Sequence, residues 1–241
     1  MRYTRPVLRV RALNKEYRCG GTAWSSVHSV LRGIDLDMYG DEVVSVVGPP
    51  GGGKSTFLLC LSGLLGPTSG LIQWALPHVP FGAGLGQTGT PGIVYVPQRV
   101  AYYGFLTVRE TLDYYGTPGA NPRMNCNPTL DSILEQVGLL TAAQMPVKEL
   151  SAPMIRRLQI AQALMCEPKA LLLDETLSIT DTATLKTLRE VVHNLVETGT
   201  VVIIATHDMG VARLVGTRSL FLNTQSWGTE RTNLTTTISL S

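Results

Sequence analysis

A glycine-rich turn in the first quarter of the chain constrains the fold more than any other segment. It follows Val43–Val47, a run rich in β-branched residues, and it precedes the apolar helix start Phe57-Leu58-Leu59. The turn has the spacing Gly-x4-Gly-Lys-Ser and consists of Gly48, Pro49, Pro50, Gly51, Gly52, Gly53, Lys54, Ser55 and Thr56. Strand, loop and helix in this order are the context in which that spacing binds phosphate. The segment therefore predicts a phosphate loop, Gly48–Thr56, inside an α/β fold.

The chemistry of this loop predicts a nucleoside triphosphate as its ligand. Successive backbone N–H groups at a helix N-terminus neutralise the charge of several phosphates. Glycines are needed because a Cβ would block close approach of the backbone and the positive φ angles of the wrap. Lys54 supplies a charge for the β- and γ-phosphates, and Ser55 supplies a hydroxyl for Mg²⁺. The alternative, a glycine-rich turn that precedes a lysine by chance, does not explain the flanking strand and helix.

Composition limits the remaining classes of function. With 241 residues, 44% of them hydrophobic, the chain can form one large α/β domain or one domain with a subdomain. No basic stripe with interleaved aromatics accompanies the net charge of +2, so we expect no nucleic-acid partner. The four cysteines have no metal-ligand spacing and are typical of reduced cytosolic thiols. No apolar run reaches the roughly 18 to 20 residues that cross a bilayer, and Met1–Pro6 lacks the pattern of a signal peptide.

Strand and helix patterns alternate along the chain, which predicts a parallel sheet covered on both faces. The predicted strands are Val7–Arg11, Leu31–Met38, Val43–Val47, Ile93–Val96, Ala170–Leu173 and Val201–Ala205. The predicted helices run from the phosphate loop to Leu65, over Thr107–Tyr115, Leu130–Val137 and Ile155–Met165, and over Leu185–Val196. Residues 77–92 and 116–128 are rich in Gly and Pro, and are predicted to be surface loops.

Two adjacent carboxylates, Asp174 and Glu175, follow the apolar strand Leu171-Leu172-Leu173. Ligands of open α/β sheets bind at the carboxyl ends of the strands, where these side chains are expected. Asp174 is suited to hold Mg²⁺ through water, and Glu175 to orient and deprotonate the attacking water. An acidic pair alone more often begins a loop. Behind a phosphate loop, the catalytic interpretation is favoured.

In this order, the elements resemble the nucleotide-binding domain of an ATP-binding cassette (ABC) transporter over about residues 7–222. Three further residues match the family: Tyr17 its adenine-stacking aromatic, Gln98 the glutamine of its Q-loop, and His207 its switch histidine. The resemblance implies binding of ATP and Mg²⁺, with Gln98 joining Ser55 and Asp174 as a metal ligand and with Glu175, His207 and Gln98 as catalytic residues. It implies a P-loop NTPase (RecA-like) parallel-sheet core.

The resemblance also divides the chain into parts. An antiparallel β subdomain is expected, together with an α-helical signature subdomain over about residues 100–165. Residues 223–241 are a C-terminal tail, for which disorder is one hypothesis.

The family's signature segment corresponds to Leu150–Leu158, and it departs from the family pattern. With Thr206–Met209, this segment looks most like the A subfamily, the lipid exporters. In the family, a signature serine and glycines bind the γ-phosphate held by a second cassette. Ser151 is kept here, but Ala152 and Pro153 replace both glycines, and a proline has no N–H to donate. The turn after Glu175 is also changed, although its Asp181 is kept, and Thr217 stands where an Asp is usual. Tolerated drift in surface turns is the alternative explanation.

The resemblance implies partners and a location. A second cassette would pair head to tail, as a homodimer or heterodimer, and transmembrane domains would lie on another chain or have been lost from this one. The chain would then act at the cytoplasmic face of a membrane as an ATPase that powers transport, with lipid as one candidate cargo. The alternative is a regulatory cassette that hydrolyses little ATP. Retention of Glu175 and His207 favours the ATPase, because a pure clamp needs no base.

Overall fold

The computed structural model describes residues 5–19, 26–40, 42–76, 92–116, 129–176, 182–222 and 236–237, and two sheets organise them. The strands are β1 Leu8–Cys19, β2 Ser26–Met38, β3 Val43–Val47, β4 Ser69–Trp74, β5 Ile93–Val96, β6 Ala170–Asp174, β7 Val201–Thr206, β8 Arg218–Phe221 and β9 Thr236–Thr237. The α-helices are α1 Lys54–Ser62, α2 Val108–Gly116, α3 Leu130–Gln136, α4 Ala152–Leu164, α5 Thr182–Glu197 and α6 Met209–Val215. Short 3₁₀ turns cover Leu140–Ala142 and Val147–Glu149.

The larger sheet has the strand order β5-β6-β7-β3-β8-β9 and is parallel from β5 to β8. Every residue of β3, β6 and β7 is buried, as expected for parallel strands with both faces covered. Leu171 and Leu173 pack with helices α2 to α6, whereas Leu172 packs with α1 and the smaller sheet. The predicted parallel-sheet core is confirmed.

The smaller sheet is antiparallel, with the order β2-β1-β4, and its strands are longer than predicted. β1 extends to Cys19 instead of Arg11, and β2 begins at Ser26 instead of Leu31. Register shifts between Val10 and Glu16 interrupt the alternation of apolar and polar residues, so the period-2 pattern is lost there. β4 was not predicted, because its first three residues are exposed and carry little apolar signal. Exposed strands of this kind are stabilised by cross-strand pairing rather than by burial.

Helix ends follow local capping. α1 ends at Ser62 rather than Leu65, where the N–H of Gly63 bonds the Cys60 carbonyl. The predicted helix start at Thr107 forms a capping box: the Thr107 N–H donates to Glu110 Oε2 at 2.8 Å, and the Glu110 N–H donates to Thr107 Oγ1 at 3.1 Å. α4 begins at Ala152, three residues before the predicted start, because Ser151 caps it. α6 and β8 were not predicted.

Several predictions fall outside the described residues: Asp181, the loops at 77–91 and 117–128, and most of the tail at 223–241. Within the tail, Thr236–Thr237 pairs with β8. Of the other residues singled out, Thr217 bonds both backbone groups of Val43 through its hydroxyl. In the part of the chain that the structure describes, no helix is both long enough and apolar enough to cross a membrane.

Candidate functional site

The phosphate loop leaves the carboxyl end of β3 and runs directly into α1. Gly53 has a φ of +86°, in the left-handed region that favours glycine, and it caps α1. Gly48 lies against the backbone beyond β8, where an added Cβ would come within 2.4 Å of the Leu222 carbonyl oxygen. The predicted strand–loop–helix arrangement is therefore present, and two of its glycines are required by geometry.

Lys54 lies inside the loop, and its side chain is only 5% exposed. Its ammonium donates to the carbonyls of Gly48 at 2.8 Å and Pro49 at 3.0 Å. Its Nζ is also 3.0 Å from Glu175 Oε1. A lysine ammonium has three donors, and these three acceptors match them. An incoming phosphate would compete with the Glu175 carboxylate for this cation.

Glu175 joins the phosphate loop to His207. Its side chain is 9% exposed, and its Oε2 lies 2.8 Å from His207 Nδ1. Glu175 has a φ of +51°, which is uncommon for a residue other than glycine and is a form of backbone strain found at functional sites. Its N–H bonds the Ala205 carbonyl at 2.9 Å, which fixes this conformation against β7. The structure thus brings together Lys54, Glu175 and His207, as their predicted roles require.

Asp174 ends β6 and is 2% exposed. Its Oδ2 accepts a hydrogen bond from the Tyr95 hydroxyl at 2.8 Å. Burial raises the pKa of Tyr95, and the Asp174 carboxylate raises it further, so the phenol stays a neutral donor. This contact was not predicted from the sequence. The signal for it is the register, because Tyr95 pairs with Leu172 and Asp174 shares the face of Leu172.

The residues present fit a magnesium ion. Asp174 Oδ1 is a buried acceptor that has no hydrogen-bond partner among the described residues. Ser55 is exposed in the first turn of α1, and Gln98 is exposed just after β5, the strand next to β6. Carboxylate, hydroxyl and amide oxygens are the hard ligands that Mg²⁺ prefers. A cation or its water would satisfy this buried carboxylate oxygen.

The remaining predicted residues lie on other elements. Tyr17 lies on β1 opposite His28 and is 37% exposed, with Lys15 Nζ 5.3 Å from the centroid of its ring. Ser151 is exposed at the N-terminus of α4, where its hydroxyl accepts from Met154 N–H at 3.4 Å. Gln98 is held through its backbone, because its carbonyl accepts a hydrogen bond from Arg156. This last contact was also missed, since no pattern in the sequence relates the two residues.

Comparison with known proteins gives a consistent result. A family model described as ABC transporter matches residues 31–178. The taurine import ATP-binding protein TauB of Roseobacter denitrificans is 32% identical over 193 residues, which cover 80% of this chain and 69% of that protein. The arginine transport ATP-binding protein ArtM of Bacillus subtilis is 33% identical over 199 residues, covering 81% and 82%. For the uncharacterized ABC transporter ATP-binding protein YxlF of Bacillus subtilis, 34% identical, the chain spans only 54% of the protein.

Solved structures share the fold. The dimeric structure of MJ0796, described as a bacterial ABC transporter cassette, has a TM-score of 0.70 and 25% identity, covering 89% of this chain and 94% of that one. A post-hydrolysis state of the MJ0796 cassette bound to ADP and Pi has the same TM-score at 24% identity.

Proposed function

Because the chain belongs to the ABC transporter family of ATP-binding cassettes, whose members are ATPases, we propose that it hydrolyses ATP to power a transporter with separate transmembrane domains. The observation that carries the proposal is a pair of contacts beside the phosphate loop: Glu175 contacts Lys54 through Oε1 and His207 through Oε2. A clamp that only binds nucleotide would need the lysine but not the two other residues. Residues 7–222 are proposed as the cassette, with 100–165 as its helical subdomain.

The proposed reaction begins when ATP enters the loop and its γ-phosphate replaces the Glu175 carboxylate as the ion-pair partner of Lys54. Glu175 Oε1 can then accept a proton from the attacking water, while His207 holds Oε2 in place. Attack of that water on the γ-phosphorus breaks the bond to the β-phosphate oxygen and yields ADP and Pi. When bound by Ser55, Asp174 and Gln98, Mg²⁺ would neutralise charge on the β- and γ-phosphates. His207 is half exposed, so it can move as the site fills.

A second cassette is proposed to complete the site, and the dimeric MJ0796 structure supports such a partner. The contribution that this chain makes to its partner's site is weakened. Pro153 is the second residue of α4, where the lack of an N–H does not disturb the helix. The same position, however, can no longer donate to a phosphate at this helix N-terminus. Ala152 adds a Cβ beside Ser151, where the partner's phosphates would approach.

Restoring glycine at both positions should therefore strengthen ATP-dependent dimerisation and raise turnover of the full chain. Regaining one charge-assisted N–H bond is expected to increase the rate about ten- to a hundredfold. The measurement is steady-state ATP hydrolysis, with dimer formation followed by sedimentation. Two single variants separate the two contributions. Pro153→Ala restores the backbone N–H alone, and Ala152→Gly removes the Cβ alone. A double-glycine variant equal to the parent in both assays would show that the signature segment is not limiting.

Tyr17 is proposed to stack on the nucleotide base. Stacking on an aromatic ring is worth about 1 to 3 kcal/mol and does not depend on which base is bound. Tyr17→Ala should weaken binding of ATP and GTP together, whereas Tyr17→Phe should leave both unchanged. Fluorescence titration with labelled ATP and GTP measures this. If Tyr17→Ala binds ATP as well as the parent does, the base platform lies elsewhere, and Trp24, outside the described residues, is the next candidate.

The names of the relatives support one direction of transport. Taurine, arginine and phosphonate systems are among them, and two of these names specify import. We therefore favour import of a small solute at the cytoplasmic face of a membrane. Export of lipid rests only on the likeness of Leu150–Leu158 to the A subfamily and stays a prediction. The regulatory alternative is favoured by one observation, Pro153 in the signature segment. Binding of ATP without turnover above background, with a competent partner cassette present, would support it.

A further inference from the structure

Helix α4 carries polar side chains at positions 156, 159 and 162, and two of them, Arg156 and Gln162, contact the segment that follows β5. Arg156 Nη1 donates to the Gln98 carbonyl, and it also donates to Gln159 Oε1 at 3.1 Å. Four residues after Gln98, the Tyr102 hydroxyl donates to Gln162 Oε1 at 3.0 Å. The segment 98–102 is therefore tied to α4 at both of its ends.

The first tie depends on Arg156. Gln159 is 2% exposed, its Nε2 has no hydrogen-bond partner among the described residues, and its Oε1 accepts from Arg156 at 3.1 Å. A guanidinium can serve the carbonyl and the amide together, because its N–H donors diverge in a fixed plane. Burial lowers the pKa of Arg156, with Arg99 contributing, which indicates a guanidinium partly withdrawn from water.

The position of Arg156 relates two parts of the site. It lies five residues after Ser151 on the helix that Ser151 caps. Through the Gln98 carbonyl, Arg156 also fixes the backbone of the residue whose side chain is a proposed ligand of Mg²⁺. A displacement of α4 when a partner's nucleotide meets Ser151 would move the Gln98 backbone with it.

We propose that Arg156 is a positioning residue that couples the signature helix α4 to Gln98, and so to hydrolysis. The proposal rests on the ATPase function proposed above. Arg156 is not proposed to contact the nucleotide or the attacking water. It acts through its hydrogen bond to the Gln98 carbonyl.

Hydrogen exchange in the nucleotide-free full chain tests the tie without any need for turnover. Arg156→Ala should speed exchange in peptides covering residues 97–102 about tenfold, the effect of losing one charge-assisted hydrogen bond. Arg157→Ala is the matched control, because Arg157 donates to the Gly138 carbonyl at 3.3 Å from the same helix, yet outside this loop. Arg156→Lys keeps one cationic donor and should restore part of the protection. Equal exchange in the Arg156→Ala variant and the parent would overturn the proposal.

A double-mutant cycle tests the coupling to catalysis. Arg156→Ala should lower kcat about tenfold while KM for ATP changes less than about twofold, because the phosphate loop is untouched. In a Gln98→Ala background the same change should alter kcat by less than about twofold. Additive losses would mean that Arg156 acts by another route and would overturn the proposal. Absence of ATP turnover in the parent would instead contradict the proposed function, and the exchange experiment would still decide whether Arg156 holds the loop.

Discussion

Replacing Glu175 by glutamine is expected to lower ATP turnover at least about a hundredfold, the usual range for loss of a general base. Gln keeps the shape of the side chain and its hydrogen bond with His207, but it cannot accept the proton of the attacking water. The charge that binds Lys54 in the nucleotide-free site is lost as well. ATP affinity should therefore be unchanged or higher, and bound ATP should persist much longer than in the parent. Turnover assays and the release rate of labelled ATP measure the two effects.

The chain offers a matched control for this variant. Glu167 is an exposed glutamate with a φ of +43°, close to the backbone conformation of Glu175. It lies before β6 rather than after it, so Glu167→Gln changes the same functional group at the far end of the strand. That variant should keep parental turnover. If Glu175→Gln also kept parental turnover, the catalytic assignment would be wrong and the acidic pair would be only a metal site.

Replacing Lys54 by alanine is expected to weaken ATP binding at least about tenfold, equivalent to about 1.4 kcal/mol. The change removes a cation that lies inside the loop and faces the place of the phosphates. It also removes the cation that lies 3.0 Å from the buried Glu175 carboxylate, which destabilises a folded protein. Fluorescence titration with an ATP analogue gives the affinity, and thermal unfolding shows whether the variant is folded.

Two further variants keep this prediction decisive. Lys54→Gln retains a hydrogen-bond donor for the loop carbonyls but loses the charge. It should therefore fold more readily than Lys54→Ala, and its ATP affinity should be lower than that of the parent. Lys169→Ala removes an exposed lysine at the opposite end of β6 and should bind ATP like the parent. Unchanged affinity in a folded Lys54 variant would show that the loop does not hold the phosphates.

The parts of the site that the sequence predicted are those determined by local order along the chain. The phosphate loop needs only a strand, a set of glycines and a helix in succession, and Asp174 and Glu175 need only the end of an apolar strand. The antiparallel sheet was predicted poorly, because the outer parts of β1, β2 and β4 are exposed and depend on pairing across the sheet. Short apolar strands at the centre were predicted well, since burial on both faces demands continuous apolar sequence.

Side-chain contacts between residues far apart in the sequence could not be predicted from local sequence patterns. Tyr95 reaches Asp174 across the β5–β6 pairing, and Arg156 reaches Gln98 from a helix more than fifty residues later. The left-handed backbone of Glu175 was also unexpected, because nothing in its residue type favours a positive φ. These features arise from packing between elements that are far apart in the sequence. For Glu175, the hydrogen bond of its N–H to the Ala205 carbonyl fixes the backbone at the carboxyl edge of the sheet.

We propose that this chain contains a complete nucleotide half-site and that its turnover is limited by the signature segment that a second copy would supply. ATP hydrolysis by the double-glycine variant at Ala152 and Pro153, measured with Glu175 present and with Glu175→Gln added, tests it most directly. We predict that turnover rises about ten- to a hundredfold over the parent when Glu175 is present, and falls to background when Gln replaces it. Equal turnover in the parent and the double-glycine variant, or an increase that survives Glu175→Gln, would contradict the claim.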